Sequence, residues 1–320
     1  MFFRADTLDD LMWKILPVLL AQPCNVTSSR GNSAELIGVM LHLTNPRARI
    51  SRTETKGKAF SALGELLWYL SKKKELDFIS YYIPHYKDES EDDKTVYGGY
   101  GPRIFNLRDE IDQMKNILSL LRNRPSSRKA VIQIFDGLDL VDDHPELPCT
   151  GTLQFLIRNN QLHMFTSMRS NDAFLGLSHD VFAFTMIQEI VARSLNVDLG
   201  IYTHAVGSLH LYDKHQEKAT QYLKEGVQSK KDIMPEMPIG DPWNSIEKML
   251  DAEFKIRSGN NFDEKELDIH PFWSDLIRLL KIFSLSKGKN NPEIEKIKNE
   301  MHFEVYNAYI NTKITKKKRL

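Results

Sequence analysis

The sequence predicts an α+β fold: one large unit in which strand-like and helix-like stretches intermix, followed by a helical extension. Three observations carry that expectation. The chain has 320 residues, 41% of them apolar, which is enough to bury a full core. Stretches with the two-residue period of strands lie between stretches with the longer period of helices, and no internal repeat is visible. After about residue 213 the texture turns to alternating charged and apolar residues, interrupted by the Pro-rich MPEMPIGDP at 234–242. The expected division is therefore 1–225 for the large unit and 226–320 for a helical extension with a basic tail.

The elements follow in order. MFFRADTLDDLMWKILPVLL mixes acids into a helical period, which predicts an amphipathic helix at the start and not a secretory signal. Residues 57–72 place Phe60, Leu63, Leu67 and Leu70 at helical spacing with Glu65 among them, as in a helix lying on a core. Asp88 to Asp93 reads as a solvated acidic loop, and VYGGYGPR at 96–103 is a Gly-rich loop open to close approach by a ligand. AVIQIF at 130–135 is a short strand, and DGLDLVDDHPELP has loop composition up to Cys149. TLQFLIR and QLHMFTSMRS flank Asn159-Asn160, a pair tolerant of positive φ, which predicts a hairpin. VFAFTMIQEIVARSL at 181–195 has the all-round apolar character of a buried helix, and IYTHAVGSLHLY at 201–212 returns to strand character.

Composition excludes some functions. Lys plus Arg and Asp plus Glu both number 43, so no global field argues for a nucleic-acid or membrane partner, and basic sites must be local. The final KITKKKRL is such a local segment, either a solvated terminus or a contact to phosphate or RNA. No apolar stretch reaches the roughly 18 residues needed to span a bilayer, and a soluble, cytoplasmic protein is expected. The two cysteines, Cys24 and Cys149, cannot build a Cys-rich zinc site alone; neither a metal nor a disulfide is expected. A lone cysteine is ordinarily a small packing residue, so Cys149 needs chemical neighbours to be anything else.

Those neighbours come from separated blocks: ELPC at 146–149, MRSNDAFLGLSHD at 168–180 and HAVGSLHLY at 204–212, with Arg169 lying 20 positions after Cys149. Glu65-Leu66-Leu67-Trp68, Tyr97-Gly98, Arg30-Gly31 and His210-Leu211-Tyr212 join them. In this order and spacing, over roughly residues 8–225, the chain resembles the thymidylate synthases. The resemblance implies a large mixed twisted sheet packed with helices, and a homodimer formed sheet to sheet. It implies Cys149 as nucleophile toward a pyrimidine nucleoside monophosphate and 5,10-methylenetetrahydrofolate as co-substrate. Arg30, Arg169 and Ser170 would hold the phosphate, joined by Arg128 and Lys129 from the other subunit. His210 and Tyr212 would hold the sugar hydroxyl, and Asp172 the folate pterin. Glu65 would organise water and protons around the base, and Tyr97 would help remove the carbon 5 proton.

The residue types suit that chemistry on their own terms. Carbon 5 of a pyrimidine is a poor nucleophile until a thiolate adds at carbon 6 and makes the ring an enamine or enolate. A guanidinium near the thiol lowers its pKa and can also grip phosphate bidentately, which fits Arg169. Lys129 stands where the family usually has arginine, so one forked contact becomes a point charge. A carboxylate such as Glu65 on an apolar helix face should have a raised pKa.

Position 180 departs from the family. Eight residues after Asp172, where thymidylate synthases carry the asparagine that pairs with uracil, the chain has Asp180. An amide offers one donor and one acceptor, matching uracil, whereas a carboxylate offers acceptors only and suits the amino group of cytosine and a protonated ring nitrogen. That pattern resembles the deoxycytidylate and cytidylate hydroxymethylases, in which water captures the one-carbon intermediate. dCMP is the expected substrate; CMP, dUMP methylation and an inactive nucleotide- or RNA-binding homologue are the alternatives. Thr150 for a histidine, Ser208 for an aspartate and Ser178-His179-Asp180 for Pro-Phe-Asn are further departures.

Overall fold

In a computed structural model, residues 1–28, 30–260, 262 and 267–314 are described; residues 315–320 of the basic tail lie outside them. The strands are β1 (Phe2–Ala5), β2 (Val26–Ser28), β3 (Gly31–Leu43), β4 (Val131–Gln133), β5 (Thr150–Arg158), β6 (Gln161–Asp172) and β7 (Asp198–Tyr212). The helices are α1 (Leu8–Leu20), α2 (Ala59–Leu70), α3 (Leu76–Tyr82), α4 (Tyr100–Phe105), α5 (Gln113–Asn123), α6 (Leu177–Ser194) and α7 (Gln216–Lys224). They continue with α8 (Trp243–Arg257), α9 (Pro271–Lys287), α10 (Asn291–Asn299) and α11 (Asn307–Ile314). The expected α+β fold is present: one mixed sheet in the order β1-β3-β7-β6-β5-β4, with β2 on β3, packed with helices. No helix among the described residues is long and apolar enough to cross a membrane.

The β5–β6 hairpin forms where Asn159 and Asn160, at φ 50° and 58°, supply the two left-handed residues of a tight turn. Two elements differ from the sequence reading. Phe2–Ala5 is not helical but pairs in parallel with Met40–Leu43, and α1 starts only after Thr7, whose side chain caps it by accepting from the Asp10 N–H at 3.0 Å. The long strand β3 was not legible because its inward positions change parity partway along: Ala34 and Leu36 are buried, then Val39, Leu41 and Leu43.

Three neighbouring strands change parity with it. On β7 the buried set runs Tyr202, His204, Val206 and then Leu209 and Leu211; on β6 it runs Met164, Thr166, Met168 and then Asn171. On β5 it moves from Thr150 to Leu153 and Phe155, with the register against β6 slipping between Thr150 and Thr152. The pairings bring Gly38 opposite Gly207 and Gly207 opposite Arg169, so the irregularities stack in one row across the sheet. Gly38 has φ +64°, and a Cβ on Gly207 would lie 2.8 Å from the Arg169 carbonyl oxygen. This row bends the sheet and aims the ends of β5, β6 and β7 at one place.

Helix α6 covers one face of the sheet, and α2 lies on α6. Every α2 residue except Ser61 is buried, because α9 closes its outer side, with Phe283 stacked on Phe60 at 6.2 Å and on Tyr82 at 5.1 Å. The segment before α8 is tied down by Glu189, which accepts from the Met237 N–H at 3.1 Å and pairs with Arg47 and Arg49, and by Arg193, which donates to the Met237 carbonyl at 2.8 Å. One apolar core therefore runs from α1 to α11. The other sheet face bears Ile37, Met40, Leu156 and Phe165; no helix among the described residues covers Ile37, which is 80% exposed.

The row of irregularities sets an expectation for stability. Gly207→Ala should cost about 2–3 kcal/mol, since backbone must move, whereas Gly38→Ala, with nothing within 4 Å of its Cβ, should cost only about 1 kcal/mol of conformational strain. Urea unfolding of the two variants checks the order; equal costs would contradict the close approach at Gly207.

Candidate active site

Cys149 ends the loop that enters β5, at the bent row. Its carbonyl accepts from the Arg169 N–H at 2.8 Å, while the Arg169 guanidinium donates to the carbonyls of Pro148 and Leu147, both at 3.0 Å. Arg169 thus holds the cysteine loop by three hydrogen bonds and retains further guanidinium donors for an anion. Arg30, just ahead of β3, pairs with Glu89 at 3.2 Å and Glu146 at 2.5 Å, and it lies within electrostatic reach of Cys149 and Tyr212. Tyr212 packs edge-on against His210 at 4.9 Å and accepts from the Ser28 hydroxyl at 3.5 Å. Ser170, Asn171 and Asp172 follow Arg169 along the last turn of β6, opposite Ser208 to His210 of β7.

The expectation of a ready thiolate is not what the structure shows. Burial pushes the Cys149 thiol up to about 11; Arg169 pulls it down, but Glu146 and Asp180 oppose that pull. Desolvation wins because Arg169 spends donors on carbonyls and carboxylates stand nearby. The resting group is a thiol, and a proton acceptor must complete its activation.

Acids dominate the floor of the site. Glu65, on the α2 face that looks toward α6, accepts from the Tyr86 hydroxyl at 2.5 Å, and burial raises its pKa to about 7. Asp180, in the first turn of α6, accepts from Asn171 Nδ2 at 2.7 Å; burial and then the charge of Glu65 raise it to about 8. At neutral pH Asp180 is therefore largely a neutral acid with one donor and one acceptor, which corrects the picture of an acceptor-only carboxylate. His179 turns away from it: its ring meets the Ser61 hydroxyl at 2.9 Å, and burial lowers it to about 3, so it stays neutral.

Three expected residues are not brought to this cluster within the chain. Tyr97 donates its hydroxyl to Asp139 at 3.0 Å and stacks on His144 at 3.6 Å. Tyr100, which sequence reasoning passed over in the same Gly-rich loop, takes the place beside the cysteine. Its buried hydroxyl bonds the Thr150 N–H at 3.3 Å and hydroxyl at 3.0 Å, within reach of Cys149 and Asp180. The second Tyr-Gly in YGGYG was the available signal. Arg128 and Lys129 are exposed ahead of β4, where the Arg128 carbonyl accepts from Gln154 at 3.0 Å. Five strand residues, roughly 17 Å, separate Gln154 from Cys149.

A second lobe of the site begins at Asp172. Its Oδ1 accepts from the Phe174 and Leu175 N–H groups at 2.7 and 2.8 Å, but its Oδ2 is buried with no partner among the described residues. Both ring nitrogens of His215 are likewise buried and unpartnered, and Lys56 lies over the Phe174 ring at 4.8 Å. Burial lowers Lys56 to about 8 although Asp172 opposes the shift. Orphaned acceptors and donors around an aromatic ring fit a flat ligand with its own N–H groups, such as a pterin.

With this geometry, comparison with known proteins places the chain. The thymidylate synthase family model matches residues 37–266, and the chain belongs to that family. It is 26% identical over 237 residues to a thymidylate synthase of Bacillus subtilis subsp. natto, covering 71% of this chain and 83% of that one. It is 28% identical over 203 residues to a thymidylate synthase of Bacillus atrophaeus, covering 61% and 87%, and to thymidylate synthase 1 of Bacillus amyloliquefaciens, covering 61% and 86%. The protein is a one-carbon transferase acting on a pyrimidine nucleotide.

The two raised acids make stability depend on pH with a definite sign. A carboxyl whose folded pKa exceeds its unfolded value stabilises below the unfolded value and loses that contribution as pH rises through the folded one. For Asp180 the window runs from 3.8 to about 8, and for Glu65 from 4.5 to about 7. The ligand-free protein should lose stability across it by up to about 1.4 kcal/mol per pH unit and group. Asp180→Asn should flatten the fall, as read by thermal unfolding at pH 5, 6.5 and 8; a slope as steep as in the parent would refute the buried-acid assignment.

Proposed function

We propose that the protein is a deoxycytidylate hydroxymethylase that converts dCMP and 5,10-methylenetetrahydrofolate to 5-hydroxymethyl-dCMP and tetrahydrofolate. The observation that carries this reading is Asp180: an acid, largely protonated, stands within electrostatic reach of the nucleophile. Unsubstituted cytosine has a bare ring nitrogen at position 3 that accepts a proton, while uracil already carries one there. An acid that can give up its proton therefore transfers it to the bare cytosine nitrogen as the sulfur adds, a transfer that the ring nitrogen of uracil, already protonated, does not accept.

The chain's residues divide the work. Arg30, Arg169 and Ser170 hold the phosphate, whose dianion competes with Glu89 and Glu146 for the Arg30 guanidinium. His210 and Tyr212 hold the sugar. As the Cys149 sulfur bonds carbon 6, the thiol proton leaves to solvent. The ring nitrogen takes the Asp180 proton, so that carbon 5 becomes the nucleophilic end of an enamine. Asp180, now ionised, accepts from that nitrogen and from the exocyclic amino group. Methylenetetrahydrofolate, held at Asp172 with Lys56 and His215 alongside, supplies the one-carbon unit. The Tyr100 hydroxyl, beside Cys149, serves the removal of the carbon 5 proton in place of the expected Tyr97, and tetrahydrofolate then leaves. Glu65 manages the water that adds to the one-carbon unit, after which the bond from carbon 6 to the Cys149 sulfur breaks and the ring nitrogen returns its proton to Asp180.

We further propose a homodimer through the helix-free sheet face, which would cover Ile37 and Met40. Arg128 and Lys129 would then reach the partner's phosphate site, as their distance from Cys149 in their own chain requires. In this reading α8 to α11 of the extension form a helical outer layer that props α2, and with it Glu65, against α6.

Incubation with methylenetetrahydrofolate and each of dCMP, CMP and dUMP, with products identified by mass, tests the assignment. The expected result is a gain of one hydroxymethyl group on dCMP, no methyl product, and complete loss in Cys149→Ser. Asp180→Asn should raise turnover of dUMP relative to dCMP tenfold or more, on the scale of one buried polar mismatch. A dominant methylated dUMP product from the parent protein would overturn the proposal. Mixing Cys149→Ser with Arg128→Ala chains should restore activity if sites are shared between subunits.

A further inference from the structure

Beneath Asp180 runs a chain of buried polar groups that the mechanism above does not use. Asn171 Nδ2 lies 2.7 Å from Asp180 Oδ2; Asn171 Oδ1 lies 3.2 Å from His204 Nε2; His204 Nδ1 lies 2.7 Å from the Tyr202 hydroxyl. Asn171, His204 and Tyr202 are 4%, 1% and 1% exposed. Neutral imidazole has one N–H and one bare nitrogen, so the three contacts cannot be oriented independently. With the Tyr202 hydroxyl donating to Nδ1, the proton of His204 sits on Nε2 and donates to the Asn171 carbonyl, and the Asn171 amide then must donate to Asp180 Oδ2. Burial holds His204 far below neutrality, at about 3, which keeps it out of the doubly protonated form that would break the sequence.

We propose that Tyr202, His204 and Asn171 are positioning residues that hold the proton of Asp180 on Oδ1, the oxygen left for the ligand, and so set the preference for cytosine over uracil. The inference rests on the reading of Asp180 as the group that meets the base. An Oδ2 engaged as acceptor by Asn171 is the carbonyl oxygen of the acid; the hydroxyl is then Oδ1, a donor for the bare ring nitrogen of cytosine. If the relay is cut, the Asn171 amide can turn over and accept from Oδ2–H instead. Asp180 would then present a bare Oδ1, which suits the ring N–H of uracil. Discrimination would thus reside in the direction of a hydrogen-bond chain three residues long, at positions that touch neither nucleotide nor folate.

Several other groups face Asp180: Glu65 and Tyr69 of α2, Tyr100 of α4, Cys149 ahead of β5, Asp172 of β6 and Tyr202 of β7. Of these, Glu65 and Asp172 raise its pKa, and Asn171 lowers it. Removing the Asn171 donor should therefore raise the Asp180 titration by about one to two pH units, the equivalent of a hydrogen bond to a charged acceptor.

Tyr202→Phe removes one oxygen at a fully buried ring and tests the direction of the chain; Asn171→Leu removes the last link. The expected result is a fall of about tenfold in the dCMP-to-dUMP ratio of kcat/KM in each, with the Asp180 carboxyl midpoint, followed by 13C NMR of the ligand-free protein, moved upward in Asn171→Leu. A purely structural role would lower both substrates together and leave the ratio and the midpoint where they were, which would overturn the relay. Asp180→Asn separates the two readings. A changed ratio there with unchanged ratios in both relay variants rejects the relay and keeps base reading by Asp180. An unchanged ratio in Asp180→Asn rejects base reading, and with it the role of the relay in specificity. Should Asn171→Leu fail to fold, Tyr202→Phe alone decides, since an unaltered ratio in it contradicts the proposal.

Discussion

The row formed by Gly38, Gly207 and Arg169, continued by the register slip between Thr150 and Thr152, is the constraint on which the site depends. Four adjacent strands switch the side their residues face at the same level, so the sheet bends there without losing its ladder. Beyond the bend Asn171, which unbroken alternation would have turned outward, is buried beneath Asp180, while His210 and Tyr212 leave the inward row of β7 and Tyr212 comes within electrostatic reach of Arg30. Arg169 belongs to this row through its backbone and to the site through its guanidinium, which ties the cysteine loop to the bend. Glycine at 207 lets the Arg169 backbone approach closely, and glycine at 38 supplies the positive φ, so the irregularities stack.

Around that frame the energetics are those of buried charge with few compensating partners. Cys149, Glu65 and Asp180 are all shifted toward their neutral forms, chiefly by desolvation. Neutral groups are inexpensive to bury and are also poised to exchange protons once a charged substrate arrives. The resting site is thus neutral, and α9 supports it at a distance by sealing the outer face of α2, which carries Glu65.

Much of this was legible in the chain itself. The hairpin about Asn159-Asn160, the buried helix at 181–195 and the α2 helix carrying Glu65 all follow from periodicity and turn chemistry. Cys149 and Arg169 stand out by their spacing, and Asp180 stands out as a carboxyl where an amide is usual. Strand β3 was hidden because its alternation is broken at Gly38, and β1 because four residues at an edge owe their conformation to Met40–Leu43 and not to their own pattern. Tyr97 and Tyr100 each precede a glycine in the same loop, so nothing local separates them; only the packing of the loop against Thr150 on one side and Asp139 on the other tells them apart.

By itself, then, the sequence determined the family and singled out Cys149, the guanidinium of Arg169 and the acid at position 180, because those depend on residue type and order along the chain. Tertiary structure alone decided the burial that shifts these groups toward their neutral forms, which tyrosine stands by the sulfur, and which polar groups line up under Asp180. The reason is physical: desolvation and hydrogen-bond polarity are set by atoms brought from β6, β7, α2 and α6 to within a few ångströms. No stretch of sequence contains that neighbourhood.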